Sequence, residues 1–244
     1  MNYVIAESTA EVIEVLKKAN GLACIVAGGT DLVLDIDTGK KSAGTLVDIM
    51  RIPELKKIEL VDGFLEIGSA ATLTEIHSHP LVKQYFPSLA KGCRTVGSRL
   101  IQNVATLAGN VITAQPAADA GMSLSVLDPQ FVLVDEGGTR ICGVDGMYAG
   151  FGVSEVDSCK TLLTKIRIRI PNEHEAASFQ RLELRKSLSL PMLNVAAMGS
   201  ISGGHFDFYE TTYHGGVMWF MPRAAREGRG GDSGWAFTHR HKSR

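Results

Sequence analysis

The sequence predicts an α+β protein made of a small α/β unit, a larger α+β unit and the start of a third α+β unit. Three observations carry this. Short apolar runs alternate with a capped helical segment over the first 55 residues. From Ile58 onward, strand pairs joined by tight turns take over. A polar stretch, Pro171-Asn172-Glu173-His174-Glu175, then precedes a last group of strand signals. The units are expected at residues 1–55, 56–172 and 178–210.

In the first unit Val4-Ile5-Ala6 reads as an opening strand. Ser8-Thr9-Ala10-Glu11 has the form of a capping box, in which a hydroxyl and a carboxylate each satisfy the other residue's backbone N–H. Val12, Ile13, Leu16 and Ala19 follow at helical spacing, and Asn20-Gly21 supplies a left-handed cap. Leu22-Ala23-Cys24-Ile25-Val26 is a short buried strand that runs straight into Ala27-Gly28-Gly29-Thr30-Asp31-Leu32. Two glycines after a strand open backbone dihedrals closed to other residues and leave the amides uncovered. Successive N–H groups in such a turn form a concavity suited to phosphate oxygens. Thr45-Leu46-Val47-Asp48-Ile49 is the next strand.

In the second unit, Lys57-Ile58-Glu59-Leu60 and Leu65-Glu66-Ile67-Gly68 flank Asp62-Gly63, a hairpin turn signal. Thr72-Leu73-Thr74-Glu75 is a second capping box, opening a helix that ends before Pro80. Helical text follows from Pro87 to Cys93, and a short helix or turn spans residues 98–104. That turn leads into a second glycine loop, Thr106-Leu107-Ala108-Gly109-Asn110. Phe131-Val132-Leu133-Val134 and Thr139-Arg140-Ile141 form a hairpin across Asp135-Glu136-Gly137-Gly138. Residues 162–170 alternate apolar and basic side chains, so Lys165, Arg167 and Arg169 read as the solvated face of an edge strand or, alternatively, as a docking surface for a partner subunit. The third unit starts near Ser178, with strands at 193–201 and from Phe206 joined by Ser202-Gly203-Gly204.

Residues 211–244 differ from the rest. Both tryptophans, Trp219 and Trp235, fall there, and six Arg and Lys residues from Arg223 to Arg244 face only Glu227 and Asp232. Gly/Arg-rich text without periodicity reads as disordered, or as a tail translated in a shifted frame.

The chain's 244 residues allow one or two domains with subdomains, and 45% hydrophobic with 21% charged residues is an ordinary globular balance. A net charge of −1 gives no reason to expect a nucleic-acid or anionic-membrane partner. No apolar run approaches membrane-spanning length, and the start lacks the regions of a signal peptide, so the expected location is cytoplasmic. Cys24, Cys93, Cys142 and Cys159 show no C-x-x-C or C-x-x-H spacing. They read as four reduced, mostly buried thiols, and any iron–sulfur cluster belongs to another subunit. No G-x-G-x-x-G is present to indicate a separate nicotinamide domain.

Taken together, the two glycine loops, Ile67-Gly68-Ser69-Ala70-Ala71-Thr72, Pro116-Ala117-Ala118-Asp119 and Leu193-Asn194-Val195-Ala196 form an ordered series. The chain thereby resembles the FAD-binding subunit of the molybdenum hydroxylases, over residues 1–207. The resemblance implies a two-part FAD-binding domain followed by a truncated C-terminal flavoprotein domain, with FAD extended between the first two units. Cys24, Ile25, Val26, Ala27, Gly28, Gly29, Thr30 and Asp31 would cradle the pyrophosphate. Thr106, Leu107, Ala108, Gly109 and Asn110 would meet it from the other side. Asp119 would bind near the adenosine end, or else cap a helix. Leu162 or Leu163 lies where relatives line the flavin ring. Arg181 stands where relatives have a lysine beside the flavin, keeping the charge but changing the donor geometry.

The residues set further expectations for the loops. Asp31 has the wrong sign for phosphate and braces its loop by accepting backbone N–H bonds, as in Asx turns. Thr30 and Thr106 have hydroxyls to donate, and Asn110 either adopts positive φ or bonds the ligand.

The function the resemblance implies is an FAD-carrying electron-transfer subunit. It would act with a molybdopterin-binding large subunit and a [2Fe–2S] small subunit, with NAD or another acceptor, and no catalytic acid or base of its own. The alternatives are a non-catalytic remnant lacking a normal third unit, and a stand-alone flavin oxidase.

Overall fold

The computed structural model describes residues 1–115, 117–150, 153–185, 188–202, 205–214 and 218–220. The first unit holds β1 (Asn2–Ile5), α1 (Thr9–Ala19), β2 (Ala23–Val26), α2 (Leu32–Asp37) and β3 (Thr45–Asp48). Its sheet is wholly parallel, with β3 between β1 and β2. Val12 and Leu16 of α1 are buried against it, at the four-residue spacing that puts both on one helical face. Asn20 ends α1 at φ 45° and Gly21 follows at φ 87°. Ser8 Oγ accepts from Glu11 N–H as expected. The Glu11 carboxylate accepts from Glu7 N–H at 2.8 Å, one residue before the reciprocal position of a capping box.

The second unit comprises β4 (Ile58–Val61), β5 (Phe64–Gly68), α3 (Leu73–Ser78), α4 (Pro80–Tyr85), α5 (Pro87–Thr95), α6 (Arg99–Gln102), α7 (Leu107–Ile112), α8 (Asp119–Ser125), β6 (Gln130–Asp135), β7 (Gly138–Cys142), β8 (Tyr148–Gly150), β9 (Val153–Ser154) and β10 (Leu162–Arg169). The β4–β5 hairpin turns at Asp62 and Gly63, both with positive φ. The Thr72–Glu75 capping box is complete, and α3 stops before Pro80. Pro80 does not merely end that helix; it opens α4 as an N-terminal residue, where a missing N–H costs nothing.

The five-stranded sheet runs β4-β5-β10-β6-β7. β10 is therefore central, not an edge strand. Its apolar face, Ile166 and Ile168, enters the core, and its basic face meets Glu66 of the neighbouring β5. Lys165 and Arg167 both bond that carboxylate, and the Arg167 guanidinium lies 4.4 Å from the centre of the Phe64 ring.

The third unit is an antiparallel meander, β11 (Glu175–Leu182), β12 (Leu193–Ser202), β13 (His205–His214) and β14 (Met218–Phe220). β11 begins three residues before the expected start. β13 runs past Glu210 to His214 and β14 follows, so regular structure extends into the stretch expected to be unstructured. The remainder of that stretch, 221–244, lies outside the described residues.

The units share their cores. Ala70 and Leu162 of the second unit pack into the cluster formed by Val12, Leu16, Val47 and Ile52 of the first. Phe179, Ala196 and Met198 of the third are buried in the core of the second. The cysteines are not four reduced thiols: Cys24 and Cys159 form a disulfide, leaving Cys93 and Cys142 free. A separation of 135 residues carries no local signal of such a bond.

Candidate functional site

One wall of a cleft is the turn after β2. Gly28 lies against the opposite wall, where a Cβ would come within 2.0 Å of the Val104 carbonyl oxygen and 2.9 Å of Ala105 Cα. Gly29 has φ 68°, a left-handed conformation, and its side-chain position faces Val33 at 3.1 Å. Gly28 therefore makes room for a neighbouring backbone, and Gly29 supplies the turn. The N–H groups of Gly28, Gly29, Thr30, Asp31 and Leu32 find no backbone acceptor among the described residues. A run of unpaired amides of this kind is an anion-binding concavity. The Asp31 side chain makes no cap bond to α2 and instead accepts from the Thr30 hydroxyl at 3.2 Å, so the expected Asx brace is absent.

The facing wall is built by α6 and α7. Ser98 caps α6, and the chain then passes through Val104 and Ala105 to Thr106, the N-cap of α7. Thr106 Oγ accepts from Gly109 N–H at 3.0 Å. Thr106 also bridges to Thr72, which ties this wall to the start of α3. Asn110 is helical, and its Oδ1 accepts from Gly121 N–H at 3.0 Å, which joins α7 to α8. It serves the scaffold through that oxygen and does not adopt positive φ.

The cleft encloses about 510 Å³, a volume within the usual range for small-molecule sites. Leu162, Leu163, Ser158 and Thr161 line it together with Ile49; Thr95 to Gly97, Asp119 and Ser189 to Pro191 line it as well. Asp119 is the first residue of α8 and Ala118 is the cap, so Asp119 is not an N-cap. Its carboxylate is 4% exposed, pairs with Arg181 and accepts from Asn194 Nδ2 at 3.0 Å. Burial raises this carboxyl above its ordinary value, against the lowering effects of the Asn194 bond and the Arg181 charge.

Arg181 does not line the cleft. Its Nη1 donates to the Thr95 carbonyl at 3.0 Å, its Nη2 donates to the Ser189 carbonyl, and Glu183 pairs with it at 2.7 Å. It therefore fixes Thr95 and Ser189, two residues that do line the cleft.

Of the sixteen expected contact residues, thirteen line the cleft: 25–31, Thr106, 108–110, Asp119 and Leu162. Cys24 lies just behind, in its disulfide. Leu107 is fully buried in the core, and Arg181 sits behind Asp119. The sequence reading missed Lys41, which brings a cation to the cleft beside Asp35, with Nζ 3.9 Å from that carboxylate. Lys40-Lys41 after Gly39 was the available signal, but it takes the turn at the end of α2, where Lys41 N–H meets the Asp35 carbonyl at 3.0 Å, to bring Lys41 to the cleft.

A family model described as the FAD binding domain in molybdopterin dehydrogenase matches residues 1–172. The chain belongs to this family. Its cofactor is FAD. Among curated relatives of this FAD-binding family, the nicotinate dehydrogenase FAD-subunit of Eubacterium barkeri is 32% identical over 171 residues. That match covers 69% of this chain and 58% of the relative, so the chain spans little more than half of that protein's length. The putative xanthine dehydrogenase FAD-binding subunit of Escherichia coli K12 is 27% identical over 206 residues, covering 84% of this chain and 70% of the relative.

The fold matches carbon monoxide dehydrogenase from Hydrogenophaga pseudoflava with a TM-score of 0.80 at 22% identity, covering 87% of this chain and 73% of that one. Quinoline 2-oxidoreductase from Pseudomonas putida 86 matches with a TM-score of 0.77 at 24% identity, covering 87% and 72%. No helix among the described residues is long and apolar enough to cross a membrane.

Proposed function

We propose that the cleft between the two loops holds FAD, with the pyrophosphate on the amides of Gly28 to Leu32 and the Thr106–Asn110 wall opposite. The observation that carries this is the run of unpaired N–H groups facing a second wall held at backbone contact by Gly28. Lys41 supplies positive charge at the same place, which the phosphates need and the loops themselves lack. Leu162 and Leu163 offer an apolar surface for a ring, and Asp119 faces the cleft through a carboxylate already engaged by Arg181 and Asn194. Arg181 positions that end of the cleft and does not touch the cofactor.

When bound, FAD supplies the redox chemistry, and the protein positions it and excludes competing reactions. On this reading the chain is the flavin-carrying electron-transfer part of a cytoplasmic molybdenum hydroxylase. Electrons arrive from a molybdopterin-binding large subunit by way of a [2Fe–2S] small subunit, and NAD or another acceptor takes them. The family membership and the FAD-subunit relatives support this assignment. The substrate is chosen elsewhere in such a complex.

The test is direct. The purified chain, stripped of cofactor and then incubated with FAD, is expected to retain a flavin visible spectrum through gel filtration. A colourless protein that takes up no FAD would overturn the site assignment.

A further inference from the structure

The disulfide stands at the junction of two cleft walls. Cys24 is on β2, which runs into the glycine loop, and Cys159 lies three residues before Leu162, where β10 begins. The residues next to each cysteine, Ile25 and Ser158, both line the cleft and are joined by a backbone hydrogen bond, Ile25 N–H to the Ser158 carbonyl, at 3.0 Å. Across this point the first sheet and the start of β10 are held by the S–S bond, by that one hydrogen bond and by Leu162 packing into the first unit's core.

We propose that the Cys24–Cys159 bond is a thiol-controlled tie that sets how firmly the cleft holds FAD. Cys24 is 5% exposed and Cys159 is only half-buried, so Cys159 is the more open end of the bond and the one we assign to attack by a small dithiol. The step is thiol–disulfide exchange. One thiolate of a dithiol attacks Cys159 Sγ and Cys24 leaves as a thiolate that takes up a proton; the reductant's second thiol then loses its proton, closes the reductant's own disulfide and releases Cys159, which is protonated in turn. Two electrons pass from the dithiol to the protein, one S–S bond is broken and one is formed.

Freed of the tie, the segment from Ser158 to Leu162 keeps its own turn on Asp157 and the Leu162–Val134 pairing. Its links to the first unit lose the covalent one, leaving the Ile25–Ser158 hydrogen bond and the Leu162 packing among them, and the segment shifts relative to the glycine loop. Cys93 and Cys142 take no part. Burial raises both thiols, and neither lines the cleft.

This inference rests on the assignment of the cleft to FAD, and the experiment separates the two. The full chain is prepared under air and after treatment with dithiothreitol. Free thiols are counted by alkylation and mass in the unfolded state, and FAD release is followed by the recovery of flavin fluorescence. The expected result is two alkylated thiols in the oxidised chain and four in the reduced one. FAD release should be about tenfold faster after reduction, the change that 1.4 kcal/mol of lost binding produces.

Cys159→Ser is expected to release FAD at the fast rate with or without dithiol, and circular dichroism is expected to show it folded. Cys159→Ala is the second variant should the serine perturb folding. Four thiols in the air-oxidised chain, or equal release rates from the two forms, would overturn the tie. Failure of the oxidised chain to bind FAD at all would overturn the cleft assignment and the tie with it.

Discussion

Gly28 and Val104 are in backbone contact across the cleft: a methyl at Gly28 would lie 2.0 Å from the Val104 carbonyl oxygen and 2.5 Å from its carbon. Neither side is the free end of a flexible side chain, so the walls themselves must part. Gly28→Ala is expected to cost about 2 kcal/mol or more, as overpacking does, and to weaken FAD binding by separating the two loops. Gly29→Ala is expected to cost only about 1 kcal/mol, the penalty for a side chain in the left-handed region. Thermal melts of the two variants check this order. A larger loss for Gly29→Ala would contradict it.

The Arg181–Asp119 pair predicts a second effect. Arg181→Ala leaves the Asp119 carboxylate buried without its cation, held by the Asn194 and Thr95 hydrogen bonds, and frees the carbonyls of Thr95 and Ser189. Breaking a buried pair from one side costs about 3–5 kcal/mol. Arg181→Lys is expected to recover only part of this, because one ammonium cannot reach the partners now held by two guanidinium nitrogens. Urea denaturation midpoints measure both losses.

Asp119 also predicts a pH dependence. Its carboxyl is raised in the folded state chiefly by burial. The folded chain then holds this proton more tightly than the unfolded one. This group's contribution to stability is fully present below the ordinary aspartate value and is lost as pH rises through the folded value. Asp119→Asn is expected to remove that part of the acid-side slope. Melting temperatures across the acidic range compare the two, and an unchanged slope would sink the assignment.

Glu66 is the shared counterion of the central strand, so its removal is expected to destabilise without touching cofactor binding. Glu66→Ala strands Arg167 and Lys165, of which Arg167 is the more buried at 21% side-chain exposure. The expected cost is about 1–3 kcal/mol, that of a charged hydrogen-bonded group losing its partner. Denaturation of the variant beside an FAD titration separates the two readouts.

Local chemistry was the part of this chain legible in advance. The Asn20 cap, the Asp62-Gly63 turn and the Thr72–Glu75 box are decided by residues within a few positions of one another, and each forms as read. What was not legible depends on distant partners. The alternation of apolar and basic residues in β10 reads as an edge strand, because its counterion Glu66 lies about a hundred residues earlier and meets it only through strand pairing. The disulfide is hidden by a similar separation. α2 carries no periodic signal, since Leu32, Val33 and Leu34 are consecutive in sequence and none of them is buried to mark a core face.

At the site, the glycine loops were visible as motifs, but their division of labour was not. Gly28 answers to Val104 on the far wall, and Asp31 turns to Thr30 instead of bracing the backbone.

On the proposed reading, the paired loops grip a pyrophosphate. Equilibrium binding of FAD and of riboflavin to the full chain, followed by quenching of flavin fluorescence, tests it most directly. Riboflavin, which has the ring but no phosphate, is expected to bind at least about tenfold more weakly, since several charge-assisted hydrogen bonds are lost. ADP is expected to displace FAD. Riboflavin binding as tightly as FAD, with ADP without effect, would contradict it.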